Sequence, residues 1–266
     1  MPSLHGLSTD CLVQFQNDGF VVVENLLNVE EIELLRRIAT SDCMMKEQSY
    51  NRDDGEGGAV KLMLRNEAGD DDIYAAIARS HRVVDRMEQL LDGEVYHYHQ
   101  KTIMKEPKVG GAWAWHQDYG YWYHNGCLLP DMGSCMIAVD RSTKENGCLQ
   151  VVRGSHRMGR IEHGPVGEQT GADPERVAAI LERMELVYVE LEPGSAVFFH
   201  SNLLHRSNQN RSEDPRWVFI CCYNTKRNNP YRESRHPRYA PLEKWDDSRI
   251  LEMGRFQWER ISANER

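Results

Sequence analysis

The segment Trp113-Ala114-Trp115-His116-Gln117-Asp118 reads as a β-strand. Side chains alternate between the faces of a strand, so His116 and Asp118 project to one side, a few ångströms apart. An imidazole and a carboxylate placed this way can fill two neighbouring positions on a divalent metal. One more histidine completes a two-histidine, one-carboxylate face that leaves three positions open, the arrangement of non-haem Fe(II) oxygen chemistry. A His-x-Asp triplet alone is a weak signal, so its weight rests on context. That context lies downstream, where His200 and His205 are followed by Arg216, eleven residues past His205 at the head of a hydrophobic strand. A guanidinium in that position is costly unless an anion meets it. A dicarboxylate co-substrate held between the metal and the arginine supplies that anion.

These side chains need a scaffold. From residue 94 onward, short segments rich in Val, Ile, Tyr and Trp (95–105, 113–119, 134–140, 148–152, 187–191, 195–200 and 216–224) alternate with turn signals at Gly110-Gly111, Asn146-Gly147 and Pro193-Gly194. Before them the pattern predicts a helix over 9–17 with Thr9 as its cap, and a short strand at 19–24. A second helix opens at Asn28, and a third runs over 71–91 and is closed by Gly93. Residues 51–58, with Asp53, Asp54 and three glycines, read as an exposed loop, and Asp70-Asp71-Asp72 as a solvated helix start. A further helix near 173–184 begins at Asp173-Pro174, and the Arg-, Pro- and Tyr-rich stretch from 226 reads as irregular wrapping. Helices first and many short strands after predict a mainly β fold with flanking helices, a two-sheet jelly roll. No repeat or linker divides the chain. It therefore reads as one domain over 1–266, with a helical region to about 93, a core over about 94–225 and a tail over 226–266.

Composition narrows the partners. At 266 residues, 40% apolar and 27% charged, the chain supports one sizeable core and is not a disordered sequence. Against 32 basic residues stand 41 acidic ones, a net charge of −9 that repels phosphate backbones and anionic lipid heads. A small-molecule substrate is expected rather than a nucleic acid or a membrane. The most apolar run, Trp217 to Tyr223, is far too short to span a bilayer. Residues 1–15 carry no Lys or Arg, so no signal peptide is read there, and Ala263–Arg266 is not a peroxisomal Ser-Lys-Leu address. The seven cysteines form no CxxC pair, and the adjacent Cys221 and Cys222 point to opposite faces of a strand. They read as buried thiols of a reducing, cytoplasmic protein.

Across nearly its whole length the chain resembles the phytanoyl-CoA dioxygenase family of Fe(II)/2-oxoglutarate-dependent oxygenases. The resemblance rests on Asp18-Gly19-Phe20 within the segment from Phe15 to Val23, His116-Gln117-Asp118, Glu145-Asn146-Gly147-Cys148-Leu149, Gly154-Ser155-His156, Pro193-Gly194-Ser195, and His205-Arg206-Ser207 through Arg216. It implies a double-stranded β-helix (jelly-roll, cupin-like) core that uses Fe(II), 2-oxoglutarate and O2. In the resemblance His116, Asp118 and His205 match the iron ligands. Arg216 matches the arginine that binds the distal carboxylate of 2-oxoglutarate, and Ser207 a hydroxyl that assists it. Halogenating relatives replace the carboxylate ligand with a small residue, so Asp118 points to hydroxylation, with release of succinate and CO2. A partial similarity to the ectoine hydroxylase branch adds Trp122, a few residues past the motif, and the run from Ser207 to Asn210. On the preceding strand His99, Lys101, Ile103 and Lys105 share one parity. In that likeness Lys105 matches a lysine that contacts 2-oxoglutarate, and His99 lies near the substrate position with Trp122. The substrate-facing residues differ, so ectoine itself is not implied.

Rival readings stand beside these. His200 competes with His205 as the distal ligand, although only His205 carries the serine and arginine at the family spacing. His156 and His163 read as turn or core histidines, and Glu145-Asn146-Gly147 as a hairpin. Strand parity puts Trp115, Tyr119, Tyr121 and Tyr123 opposite the motif and Trp122 on its side. A small polar or zwitterionic metabolite is the expected substrate. An acyl-CoA, a complex secondary metabolite, and a non-catalytic metal- or 2-oxoglutarate-binding sensor are the alternatives.

Overall fold

Alternation along the apolar strands decides the architecture. A computed structural model of the chain describes residues 6–41, 49–54, 57–69, 71–166 and 168–264. Asp70 and the outermost parts of the 1–15 and 263–266 segments discussed above lie outside the described residues. The larger sheet has seven strands in the order β1 (Phe20–Val23), β11 (Ala196–His200), β6 (Met132–Ala138), β13 (Arg216–Thr225), β4 (Val95–Lys105), β3 (Ala59–Arg65) and β2 (Tyr50–Asp53). The smaller has four, β10 (Leu186–Val189), β7 (Leu149–Val152), β12 (His205–Ser207) and β5 (Trp113–His116), and β8 (His163–Val166) pairs with β9 (Gln169–Ala172) as a separate ribbon. Every pairing between these strands is antiparallel.

Strand β13 shows why its sequence is apolar at consecutive positions. Val218, Ile220 and Cys222 pack with Leu149, Val151 and Val189 of the smaller sheet. Phe219, Cys221 and Tyr223 face the other way, into a cluster built with the helices. A strand covered on both faces needs no polar alternation. The result is a cupin-like jelly roll whose larger sheet is backed by α1 (Thr9–Asp18), α2 (Val29–Ser41), α3 (Ile73–Arg79), α4 (His81–Leu91) and α7 (Arg249–Asn264). Two short helices, α5 (Asp118–Trp122) and α6 (Pro174–Leu181), lie between strands.

Capping sets several helix starts. Asn28 accepts the Glu31 N–H at 3.0 Å while its own N–H donates to the Glu31 carboxylate at 2.8 Å, a reciprocal pair that opens α2. Asp173 accepts the Arg176 N–H at the start of α6. Ser8, not Thr9, caps α1, accepting the Cys11 N–H.

Other expectations also change. The predicted helix over 71–91 is two helices, because Ser80 is extended (φ −62°, ψ 141°) and its hydroxyl donates back to the Ile77 carbonyl. The turn after it is made by Asp92 at φ 50°, ahead of Gly93. The predicted loop over 51–58 contains the edge strand β2, and Asp54 is buried, accepting N–H groups from Gly58 and Ala112. The tail is not wholly irregular: α7 packs on α2 and α3, with Ile250 fully buried and Gly254 against Leu34 and Ile73. Among the described residues no helix is long and apolar enough to cross a membrane. Six cysteines there are free thiols, and all but Cys11 are buried.

Candidate metal centre

Strand β5 stops at His116, and the chain turns at once into α5, of which Asp118 is the first residue. The predicted strand to 119 is therefore shorter, and parity does not place Asp118. Gln117 does. Its side-chain amide donates to the Asn202 carbonyl at 2.9 Å and its amide oxygen accepts the Ile161 N–H at 2.7 Å. Its backbone N–H donates to His163 Nε2 at 3.0 Å, while His163 Nδ1 donates to the Ile161 carbonyl. Pinned at each polar group, this buried residue forces the His116 and Asp118 side chains together, with His116 Nε2 3.7 Å from Asp118 Oδ1. His205 is the direct cross-strand partner of His116, and their ring centroids are 4.0 Å apart.

Ligand atoms of His116, Asp118 and His205 all lie within 4.8 Å of one another, and all three residues are buried. Nδ1 of His116 donates to the Ala114 carbonyl and Nδ1 of His205 to the Leu203 carbonyl, each at 2.8 Å. Those bonds fix the tautomer and leave both Nε2 lone pairs for a metal. Burial, with His116 close by, pushes the His205 pKa down to about 3, so its imidazole is neutral. Burial works to raise the Asp118 pKa, but Lys101, the His116 hydrogen bond and both imidazoles outweigh it and hold the carboxyl well below its usual range. Two imidazoles, each with its Nε2 free of the backbone bonds, and one carboxylate are the donor set a divalent iron takes. Asp118 Oδ2 also accepts from Ser134 Oγ at 3.1 Å. Ser134→Ala should lower metal affinity about 10- to 100-fold by freeing the carboxylate to rotate, as read by equilibrium Fe(II) titration.

Beyond the triad stands a buried cation. Arg216 is 2% exposed; among the described residues its Nε has no hydrogen-bond partner, and its Nη2 meets only the Met136 sulfur, at 3.9 Å. Burial draws its pKa down to about 10, which leaves it charged at neutral pH. Lys105, its cross-strand partner, is buried too and donates to Ser207 Oγ at 2.8 Å and to the Asn208 carbonyl. Burial first, then Arg216 and Arg206, drives the Lys105 pKa well down. The buried Arg216 guanidinium, with the Lys105 amine and the Ser207 hydroxyl beside it and no carboxylate hydrogen-bonded to either basic group among the described residues, forms a receptor for an anion. Gly147 (φ +82°) backs this corner, because a side chain there would strike the Asn208 carbonyl. One cavity is lined by His116, His205, Ser207, Arg216, Lys101 and Trp113.

His200 is not part of the triad; its Nδ1 accepts the Asn202 N–H, and its ring lies 5.4 Å from that of His156. His156 in turn donates to the Gln16 carbonyl. The His99 and Trp122 rings are 5.6 Å apart in an edge contact. Tyr98 joins them because the β4–β13 register slips between Cys222 and Tyr223, leaving Tyr98 bulged beside His99. Tyr121, expected on the far side, lies with its ring 5.5 Å from His116, since helical geometry replaces strand parity after residue 117. His236 of the tail stacks on Tyr98 at 4.8 Å. Sequence reasoning passed over Ser134, although a serine inside the apolar run Met132–Ala138 was a usable signal.

A double-stranded β-helix that carries a buried His-Asp-His triad and an anion receptor behind it defines a non-haem iron, 2-oxoglutarate-dependent dioxygenase. Comparison with known proteins agrees. The phytanoyl-CoA dioxygenase (PhyH) family profile matches residues 15–218. L-proline trans-4-hydroxylase of Streptomyces griseoviridis is 31% identical over 86% of this chain and 90% of its own length. Ectoine dioxygenase of Halomonas elongata is 29% identical over 90% of this chain and 78% of its own. The crystal structure of EctD from S. alaskensis with 2-oxoglutarate and 5-hydroxyectoine superposes with a TM-score of 0.76 at 22% identity, covering 92% of each chain, a likeness of fold. The chain belongs to the phytanoyl-CoA dioxygenase family.

Proposed function

We propose that Nε2 of His116, Nε2 of His205 and the Asp118 carboxylate hold Fe(II), and that Arg216 and Ser207 hold the distal carboxylate of 2-oxoglutarate. Lys105 fixes the Ser207 hydroxyl by donating to it. The observation that carries this reading is the buried Arg216, charged and with no carboxylate hydrogen-bonded to it among the described residues, in the same cavity as both histidines. Iron with 2-oxoglutarate and O2 supplies the oxidising power for C–H hydroxylation, with succinate and CO2 released. The chain's own contribution is orientation and exclusion of water: Met136, Leu149, Phe199 and Ile220 wall the cavity.

The substrate is a small polar or zwitterionic metabolite. Support comes from relatives whose names specify proline and ectoine, and from a cavity whose lining combines both triad histidines with Lys101 and Arg216. The buried unpaired thiols suit a cytoplasmic enzyme. The test is succinate formation from 2-oxoglutarate by the purified protein. Slow Fe(II)-dependent succinate release without any prime substrate, stimulated by a member of a small-metabolite panel, is the expected result. A folded, iron-loaded protein that forms none with any panel member would overturn the enzyme reading in favour of a sensor.

A further inference from the structure

Resting on that reading of the site, we infer that the substrate carries a free carboxylate recognised by Lys101 and Arg52 beside the Trp113 ring. Lys101 stands on β4 between His99 and Ile103, opposite Ile220, and lines the same cavity as the two triad histidines. Its Nζ lies 5.8 Å from the centre of the Trp113 ring. Arg52 reaches over from the edge strand β2, and its Cζ lies 5.7 Å from the same centre. The indole itself is 6.1 Å from the His116 ring. A slip in the β5–β12 pairing between His205 and Ser207 brings Trp113 and His116, three residues apart, to the same side.

Neither cation forms an ion pair or a hydrogen bond with another side chain among the described residues; both lie over the one indole. Asp118 is the acid whose charge Lys101 feels, and that carboxylate is committed to the metal. A divalent ion in the triad adds positive charge beside Lys101 and leaves this side of the cavity short of an anion. The distal carboxylate of 2-oxoglutarate is accounted for at the other end, by Arg216 and Ser207. A guanidinium and an ammonium, each over the one indole ring, form a bed for a small amino or imino acid. The carboxylate takes the two charges, and the carbon skeleton lies on the indole towards His116.

The test is anaerobic calorimetry on protein loaded with Fe(II) and 2-oxoglutarate, titrated with free amino and imino acids, L-proline among them, and with their carboxamides. At least one acid should bind, and its amide should bind roughly 10- to 100-fold more weakly, the loss of a charge-assisted contact. Lys101→Met and Arg52→Gln should each weaken the acid by a similar factor, leave the amide unchanged, and leave 2-oxoglutarate affinity unchanged. Equal binding of acid and amide, or no acid binding, overturns the inference. A Lys101→Met protein that loses 2-oxoglutarate affinity instead overturns it too, by assigning the lysine to the co-substrate. Failure of Fe(II) or 2-oxoglutarate to bind, recorded before any acid is added, marks failure of the underlying reading of the site and overturns both.

Discussion

Asp118→Ala should abolish turnover and lower Fe(II) affinity by more than the 10- to 100-fold expected from loss of its hydrogen-bond donor Ser134. The carboxylate is the sole acidic member of the triad, so its removal leaves two imidazoles to hold a divalent cation. It also leaves Lys101 without the charge that offsets it, and electrostatics at the site turn repulsive to a metal. Iron retained after desalting and succinate formed per minute read the two effects separately. Retained turnover would refute the ligand assignment. Iron retention with lost turnover would move Asp118 from binding to the chemistry.

Arg216→Met separates recognition from folding. Truncating one partner of a buried charge pair costs about 2–5 kcal/mol, so the KM for 2-oxoglutarate should rise roughly 30- to several-thousand-fold. Stability should move the other way. Without co-substrate the guanidinium is a buried charge with an unpartnered Nε, and an apolar side chain of similar length removes that cost. The melting temperature of the ligand-free variant should therefore hold or rise. A fall in melting temperature with an unchanged KM would make Arg216 a structural residue.

The residues of the triad were legible in the sequence, but the reason they meet was only half so. Strand alternation puts His116 and Asp118 on one side for the wrong reason, because Asp118 lies in a helix and is delivered by the hydrogen bonds that pin Gln117. The same break carries Tyr121 to the His116 side. The register that sets His205 opposite His116 is not recorded in local periodicity. Parity fails again on β4, where one bulged residue turns Tyr98 to the side of His99. Bulges are set by cross-strand register, which local periodicity does not record. The fold class was readable because both sheets impose period-two or fully apolar strands on the sequence. The helix α7 was hidden by the Arg- and Pro-rich segment before it, and His236 by the long sequence separation from Tyr98, the ring it stacks on.

The most direct measurement is anaerobic visible absorption of the metal-free protein, titrated with Fe(II) and then with 2-oxoglutarate. The account predicts a weak charge-transfer band that needs both, is absent in His116→Ala, and is weakened in Arg216→Met at the same co-substrate concentration. A folded protein that gives no such band with both additions would contradict the assembly of His116, Asp118, His205 and Arg216 into one site.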